Sequence, residues 1–402
     1  MLAGSLVVSL CLVGAHDSAT AATSNAPIVV GGEGELTLTT GVSQGFQAGI
    51  LRFNRAGGLD GRRIKYEGFL DDGFSPALTL TNIQQLVLKD HVFAVIPFNN
   101  DVATQAISSF LTQNHTPLIG WGISAPFINN PWAWSINSDY AAGTQSATTA
   151  FVQLREALHV KASQMKFAII SNDVAAGANA NNVAAKAITA IGAKVVYDEA
   201  NIPSTGTTNY APFAEEIIGS GANVVFEGLG GPDLIGLDSA LKSAGYTGST
   251  LNGVAYFPGQ LASQPSEEAA LQGAYVSDEY PDSENKTLAV QQAIKDLRAV
   301  GAPPYLTTGV SVGYWSAQLF IAMLKATVAK VGSASKVTPQ AMYRVVNAGF
   351  VYRGDLAGGN ASETFPQAER IPSTCYGLLQ IKGSTYVQKE PYACVGKLVA
   401  VK

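Results

Sequence analysis

Gly41-Val42-Ser43-Gln44-Gly45 has the spacing of a nucleophile elbow, in which a serine on a tight strand-to-helix turn attacks an acyl carbon. That chemistry needs a strand directly before the serine and a partnering histidine and acid after it. Here Thr37-Leu38-Thr39-Thr40 reads as loop and the nearest downstream histidine is His91, so in a chain with 41 glycines the match reads as chance. Gly31-Gly32-Glu33-Gly34 lacks the GxGxxG spacing of a dinucleotide loop and reads as a ligand-facing turn. Asp71-Asp72 suits the capping of a helix near Pro76 or the bonding of loop amides better than acid/base or metal chemistry. His91, His115 and His159 are scattered at helix-to-strand junctions, and there is no CxxC or Cys/His cluster. No metal or cofactor is expected, and the chain reads as a non-enzyme.

A different kind of chemistry is carried by Pro117-Leu118-Ile119-Gly120-Trp121-Gly122-Ile123-Ser124-Ala125-Pro126-Phe127. Its first residues read as a buried parallel strand. Glycines, a serine and a proline then break the run and make backbone and hydroxyl available to a ligand. In open α/β sheets ligands collect outside the carboxyl ends of the strands.

The elements needed to place that stretch repeat along the chain. Strand Ile28 to Val30, helix Gly41 to Asn54, strand Ile64 to Leu70, helix Pro76 to Lys89, strand Phe93 to Ile96, helix Asp101 to Leu111 and strand Pro117 to Ile119 form one βαβα run. The alternation restarts with helix Gly143 to Leu158 and continues to strand Thr250 to Asn252. The fold class is therefore α/β, with two Rossmann-like lobes of mostly parallel sheet. Helices Leu288 to Val300, Thr308 to Val331 and Thr338 to Asn347 exceed what the second sheet needs and are expected to return to the first lobe. This assigns residues 27–138 and 280–358 to lobe 1 and residues 139–279 and 359–402 to lobe 2. The hinge is expected near Asn137 to Ala141, near Ser277 to Pro281 and within Gly359 to Pro372.

At 402 residues, with 47% hydrophobic and 14% charged residues, the chain has enough apolar content for two cores. A net charge of −5 gives no basic footprint, which argues against nucleic acid as a partner. Leu2 to Ala15 is apolar but too short to span a bilayer, and Ala19-x-Ala21 suits signal peptidase. Residues 1–21 are thus read as a signal peptide and the chain as exported, periplasmic or cell-surface. Cys11 has two readings, a lipid-attachment cysteine or an ordinary residue of the apolar segment. Cys375 and Cys394 flank a hairpin whose ends meet, and in an oxidising compartment they are expected to form a disulfide.

Asn54-Arg55-Ala56-Gly57-Gly58-Leu59-Asp60-Gly61-Arg62-Arg63-Ile64, followed by Asp71-Asp72, Pro76, Val92-Phe93-Ala94-Val95-Ile96 and Thr116-Pro117-Leu118-Ile119, resembles the type I periplasmic substrate-binding proteins of branched-chain amino-acid ABC transporters. The resemblance runs over roughly residues 27 to 390. It implies two lobes joined by three crossovers, closing on a small molecule and delivering it to a membrane permease; a monomer is expected. Residue by residue, the pocket begins at Asn99, Asn100 and Asp101, where the family commonly carries hydroxyls. Gly122 and Ser124 match the positions that hold an amino-acid carboxylate, with Trp121 and Ile123 beside them. Aromatic positions of the family fall at Gly41, Ala176 and about Gly230. The acid that pairs the ligand's ammonium falls near Val254-Ala255, beside Tyr256 and Phe257.

Leaving a buried ammonium unpartnered costs about 3–5 kcal/mol, which disfavours an α-amino acid. Replacing aromatic walls by Gly and Ala enlarges the cavity. The expected ligand is a bulky, partly apolar molecule such as an aromatic or alicyclic acid. The alternatives are amino-acid binding, or the ligand-sensing domain of a receptor.

Overall fold

The computed structural model describes residues 26–401 except 38, 129, 138–144, 254, 257, 355–362 and 366–373. β1 (Ile28–Gly34), β2 (Ile64–Asp71), β3 (Ala94–Asn99), β4 (Leu118–Trp121) and β5 (Ala133–Asn137) form a parallel sheet in the order β2-β1-β3-β4-β5. β3 and β4 are buried at every residue, as strands covered on both faces must be. One face packs on α1 (Val42–Arg55) and on the long helix Thr308–Val331, through Phe46, Ile119, Trp134 and Phe320. The other packs on α2 (Pro76–Gln84) and α3 (Gln105–Gln113), through Ile83, Phe98, Ile107 and Leu118.

α1 and the long helix meet backbone to backbone. A Cβ on Gly45 would lie 2.1 Å from the Val310 carbonyl oxygen, and one on Gly313 would lie 2.0 Å from that of Val42. Only glycine permits this approach.

The second sheet has seven strands. Tyr275–Asp278, Ser249–Asn252, Val224–Gly228, Lys166–Asn172 and Lys194–Ile202 are parallel neighbours in that order. The hairpin Tyr376–Lys382 and Thr385–Ala393 adds antiparallel strands beside Tyr275–Asp278. Cys375 and Cys394 at its base form the expected disulfide. Helices Leu288–Ala299, Thr308–Val331 and Pro339–Val346 contribute Leu297, Phe320 and Met342 to the first core, so the chain does return there.

The residues that carry the family resemblance have visible work. Asn54 donates to the Ile64 carbonyl and accepts from the Ile64 N–H, both at 2.8 Å, which ties the end of α1 to the start of β2. Gly57, Gly58 and Gly61 have φ of 98°, 73° and 96°, a turn that side chains resist. Arg62 donates to the carbonyls of Ala26, Ala334 and Val337 and so binds the edge of the first lobe together.

Three local expectations are corrected. Gly31 to Gly34 is the continuation of β1 rather than a turn, paired with Phe69–Asp71 and with Phe98–Asn99. Glycine is needed there because a Cβ on Gly31 would meet Leu86 at 2.4 Å and one on Gly34 would meet the Asn99 carbonyl at 1.7 Å. The helix expected from Gly143 begins at Thr149, since Gln145–Ala147 pairs with the C-terminal strand Leu398–Ala400. The helix expected from Asp101 begins at Gln105.

Candidate functional site

In the first sheet the strand order reverses between β1 and β3, the place where open α/β sheets form a crevice. The chain leaving β1 passes Glu35 and Thr39 to Gly41, and the chain leaving β3 is Asn99-Asn100-Asp101. Asn99 donates to Thr39 Oγ1 at 2.6 Å and to the Glu35 carbonyl at 3.3 Å, while Thr39 Oγ1 donates to that same carbonyl at 2.7 Å. Asn100 is fully buried. Its amide faces Glu33, Asp72 and Thr79. Asp72 accepts from Thr79 Oγ1 at 2.6 Å and from the Phe74 N–H at 2.9 Å, and Asp71 accepts from the Gly73 N–H at 3.2 Å. The acidic pair thus bonds loop amides, and the helix cap itself is Ser75.

Among the described residues no cation holds this knot of acids. Burial, with the Asp72 charge nearby, pushes Glu33 up to about 9. Burial and the Asp101 carboxylate raise Glu35 well above the usual carboxylate range. Burial raises Asp72 as well, against the lowering effect of its hydrogen bonds. The Asn100 side chain is spent on this network and the Asn99 N–H groups on Thr39 and Glu35, while Asn99 Oδ1 has no hydrogen-bond partner among the described residues. Asp101 donates its backbone N–H to Glu35 Oε1 at 3.4 Å.

The loop after β4 is different. Gly122 donates to Ser135 Oγ at 3.1 Å and Ile123 donates to the Trp121 carbonyl at 3.0 Å, which fixes the loop's path. Ser124 then opens the short turn Ala125–Phe127. It is 2% exposed and its hydroxyl has no hydrogen-bond partner among the described residues. A buried hydroxyl without a partner costs about 1–3 kcal/mol, and a ligand that bonds it removes that penalty. Trp121, at the end of β4, meets Tyr280 edge-on, and its indole lies beside the carboxyl of Glu279, while among the described residues the indole N–H closes no hydrogen bond. Glu279 follows directly on Tyr275–Asp278, so strand ends from the two sheets come together here.

The remaining candidates are dispersed. Gly41 caps α1 with φ 89°, and a Cβ there would strike Val310 at 2.6 Å. Ser43 lies inside α1 with no strand directly before it, β1 having ended at Gly34, so the nucleophile-elbow geometry is absent. Ala176 is in the first turn of Ala175–Ala190, and Gly230 caps Gly231–Ser243; both follow strand ends of the second sheet. Tyr256 packs against Tyr386 in the second core, ring centroids 4.8 Å apart, and its hydroxyl bonds Glu284. Phe257 lies outside the described residues.

Three features at the strand ends were not foreseen from the sequence. They are Glu279, the Glu33–Glu35–Asp72 knot, and the bond of Asp233 to Asn172 and Tyr210 at 2.8 and 2.6 Å. Each joins residues too distant in sequence for spacing to signal the contact. Two hollows of about 530 and 250 Å³ lie elsewhere, the first beside Arg52, Phe53 and Lys325, the second beside Asp238, Lys242 and Tyr246. Among the described residues no His, Cys, Asp or Glu group is arranged to hold a metal. No described helix is long and apolar enough to cross a membrane.

Two mostly parallel sheets whose strand ends meet, with the chain passing between them and returning, define a two-lobed α/β protein. Residues 30–385 match the periplasmic binding protein family, and the chain belongs to that family. Membership carries an extracytoplasmic location. Among solved structures the chain is similar to an R. palustris solute-binding protein of an ABC transporter in complex with 4-hydroxybenzoate (18% identity over 91% of this chain and 96% of that one, TM-score 0.70). It is also similar to a fatty acid ABC transporter substrate-binding protein from Thermomonospora curvata (17% identity, 92% of each chain, TM-score 0.74). A third is a branched-chain amino acid ABC transporter protein from Thermus thermophilus with bound valine (15% identity, 92% of this chain and 96% of that one, TM-score 0.69). No curated protein sequence matches.

Proposed function

We propose that the chain is the solute-binding component of an ABC importer, closing on a small organic acid with a bulky apolar body, aromatic or alicyclic, and presenting it to a membrane permease. The observation that carries this reading is Ser124, whose buried, unpartnered hydroxyl sits in the loop opened by the Trp121 ring. An apolar wall beside a single polar hook suits a carboxylate on a hydrocarbon body. The 4-hydroxybenzoate and fatty acid of the R. palustris and Thermomonospora curvata proteins have that character. Where the resemblance expects the partner of an ammonium, this chain has Val254 and Ala255. Glu227, the nearest acid on the neighbouring strand, is shielded under the helix Gly231–Ser243 beside Asp238 and Lys242.

In this reading residues 27–138 with 280–358 and residues 139–279 with 359–402 move as two bodies. The ligand favours the closed state by the contacts that only closure makes. Residues 1–21 act as the export signal, with Cys11 as the candidate lipid attachment site, and the working unit is a monomer.

Native mass spectrometry of the purified chain, followed by calorimetry with benzoate, 4-hydroxybenzoate, cyclohexanecarboxylate and leucine, tests it. A retained organic acid, and binding of at least one of the three acids a hundredfold tighter than leucine, is expected. Tight leucine binding with none of the acids bound overturns the reading.

A further inference from the structure

The hollow of about 250 Å³ beside Asp238, Lys242 and Tyr246 lies where the strands Ser249–Asn252 and Tyr275–Asp278 begin, at the edge of the second sheet opposite to the strand ends described above. Asp238 lines it from the helix Gly231–Ser243. It is 2% exposed, and its Oδ2 has no hydrogen-bond partner among the described residues. The Tyr246 hydroxyl is buried at the same hollow and is likewise without a partner among them. A Cβ on Gly248 would collide with that hydroxyl, so glycine there makes room for the polar end of the ring. Glu227 is 1% exposed, has both carboxyl oxygens unpartnered among the described residues, and is close enough for the Asp238 charge to act on it. Lys242 follows Asp238 by one helical turn, the spacing of an ion pair. Its Nζ instead donates to the Ala269 carbonyl at 2.9 Å and to the Gln272 carbonyl at 2.8 Å, at the end of the helix Pro265–Leu271.

Two buried carboxyls therefore share the field of one ammonium whose hydrogen bonds go elsewhere, and a second positive charge would offset what remains. The unspent atoms at the hollow are a carboxyl oxygen and a phenol oxygen, both able to accept, while the Thr250 hydroxyl is already turned to Asp238. Leu241, Ala274 and Tyr275 add apolar wall beside them. Hard metal ions take about six oxygens or more, and among the described residues no His, Cys, Asp or Glu group is arranged to hold one. The hollow is also several times the roughly 30 Å³ that one water occupies, which leaves space for a head and a short tail. We propose that it is a second binding site, apart from the one at Ser124, for a small organic cation: a primary alkylammonium whose N–H groups bond Asp238 Oδ2 and the Tyr246 hydroxyl while its hydrocarbon tail lies on Leu241 and Ala274. The titratable groups that face Asp238 are Lys242 on its own helix, Glu227 on the neighbouring strand, and Tyr246 and Tyr275 on the walls. Burial pushes Asp238 up to about 7, against the lowering effects of the Lys242 charge and the Thr250 hydroxyl, and burial with the Asp238 charge raises Glu227 well above the usual carboxylate range. A proton and the guest thus compete for the same carboxylate.

The test is calorimetric titration of the full chain with n-propylammonium chloride, beside tetramethylammonium chloride and sodium chloride at equal ionic strength, using the wild type, Asp238→Asn and Tyr246→Phe. The charge of propylammonium, like that of a lysine side chain, is constant from pH 5.5 to 8. Saturable binding at pH 7.5 is expected, about tenfold or more tighter than for either control, since tetramethylammonium has no N–H to donate and sodium has no tail. Affinity should rise by up to about tenfold per pH unit from pH 5.5 to about pH 7 and level off above it. Asp238→Asn should weaken binding about tenfold or more and abolish the rise. Tyr246→Phe keeps the ring and should weaken binding about threefold with the rise intact. Absence of saturable binding, controls that bind equally well, or a wild-type profile flat from pH 5.5 to 7.5 overturns the proposal without any variant. Wild-type affinity in Asp238→Asn overturns it too, and if that variant does not fold, wild-type affinity in Tyr246→Phe does so in its place.

Discussion

The rings of Trp121 and Tyr280 meet edge-on, with centroids 6.1 Å apart and planes at 70°. Trp121 ends a strand of the first sheet, and Tyr280 stands two residues past the end of a strand of the second while packing in the first core. The pair therefore joins the loop after β4 to a place where the chain passes between sheets. Edge-to-face pairs contribute about 0.5–1.5 kcal/mol beyond burial.

Replacing Trp121 by Ala is expected to lower stability by about 3–5 kcal/mol and to weaken benzoate binding at least tenfold, read by thermal melting and calorimetry. Trp121→Phe keeps an apolar wall but loses the indole N–H, which has no hydrogen-bond partner among the described residues. It should retain most of the stability while still weakening binding. A Trp121→Phe protein that binds as the wild type does would remove the indole N–H from the account.

The glycine contacts between α1 and the long helix give a paired prediction. Gly313→Ala would drive a methyl into the backbone of Val42 and Phe46, so a loss of about 3 kcal/mol or failure to fold is expected in chemical denaturation. Gly219→Ala, at the end of helix Ala211–Gly219 with nothing within 4 Å, should be neutral or stabilising by about 0.5 kcal/mol. Equal effects at the two sites would refute the close-approach explanation.

The acid knot fixes the sign of a pH effect. Glu33, at about 9 when folded against an ordinary 4.5, binds its proton more tightly in the folded chain. Its contribution to stability is complete below pH 4.5 and is lost progressively as pH rises toward 9, at up to about 1.4 kcal/mol per pH unit. Asp282 at about 7 and Glu279 at about 8 act in the same direction. Urea midpoints should fall from pH 5 to pH 9 in the wild type and fall less in Glu33→Gln, whose amide keeps Asn82 and Asn100 within hydrogen-bond reach. An unchanged slope in that variant would show Glu33 to be ionised already.

The disulfide encloses the edge hairpin, its cysteines 19 residues apart. Cys375→Ser with Cys394→Ser is expected to lower stability by about 3 kcal/mol. Beyond Cys394 the chain lays Leu398–Ala400 on Gln145–Ala147, and the Lys397 N–H donates to Thr148 Oγ1 at 2.9 Å. Amide exchange over residues 145–149 should accelerate in the double variant more than exchange in β3. If it does not, the tail is held independently of the disulfide.

How far the sequence could be read depended on the range of the interactions. The Asn54 to Arg63 motif was legible because its bonds are local: Asn54 reaches Ile64 and three glycines take positive φ within one turn. The strand in Gln145–Ala147 was not, because its partner is some 250 residues away and nothing nearby announces it. Tyr256 shows the same limit. An aromatic residue at a strand end suits a cleft wall, but its ring packs on Tyr386 of the hairpin, a neighbour that only the folded chain supplies.

Apolar period, glycine placement and composition by themselves determined an α/β chain with two parallel sheets, a return of the late helices to the first core, and the hairpin whose cysteines close. These follow from backbone geometry and from the need to bury each apolar face, which neighbouring residues decide between them. Which polar groups are left over for a ligand was settled by tertiary contacts alone. Asn100 spends its amide on buried acids and Asn99 its N–H groups on Thr39 and the Glu35 carbonyl, while among the described residues Asn99 Oδ1 and the Ser124 hydroxyl have no partner, and Glu279 arrives from the other sheet to stand beside Trp121. A side chain's hydrogen-bonding capacity is written in its residue type, but whether that capacity is already used depends on partners brought from far along the chain.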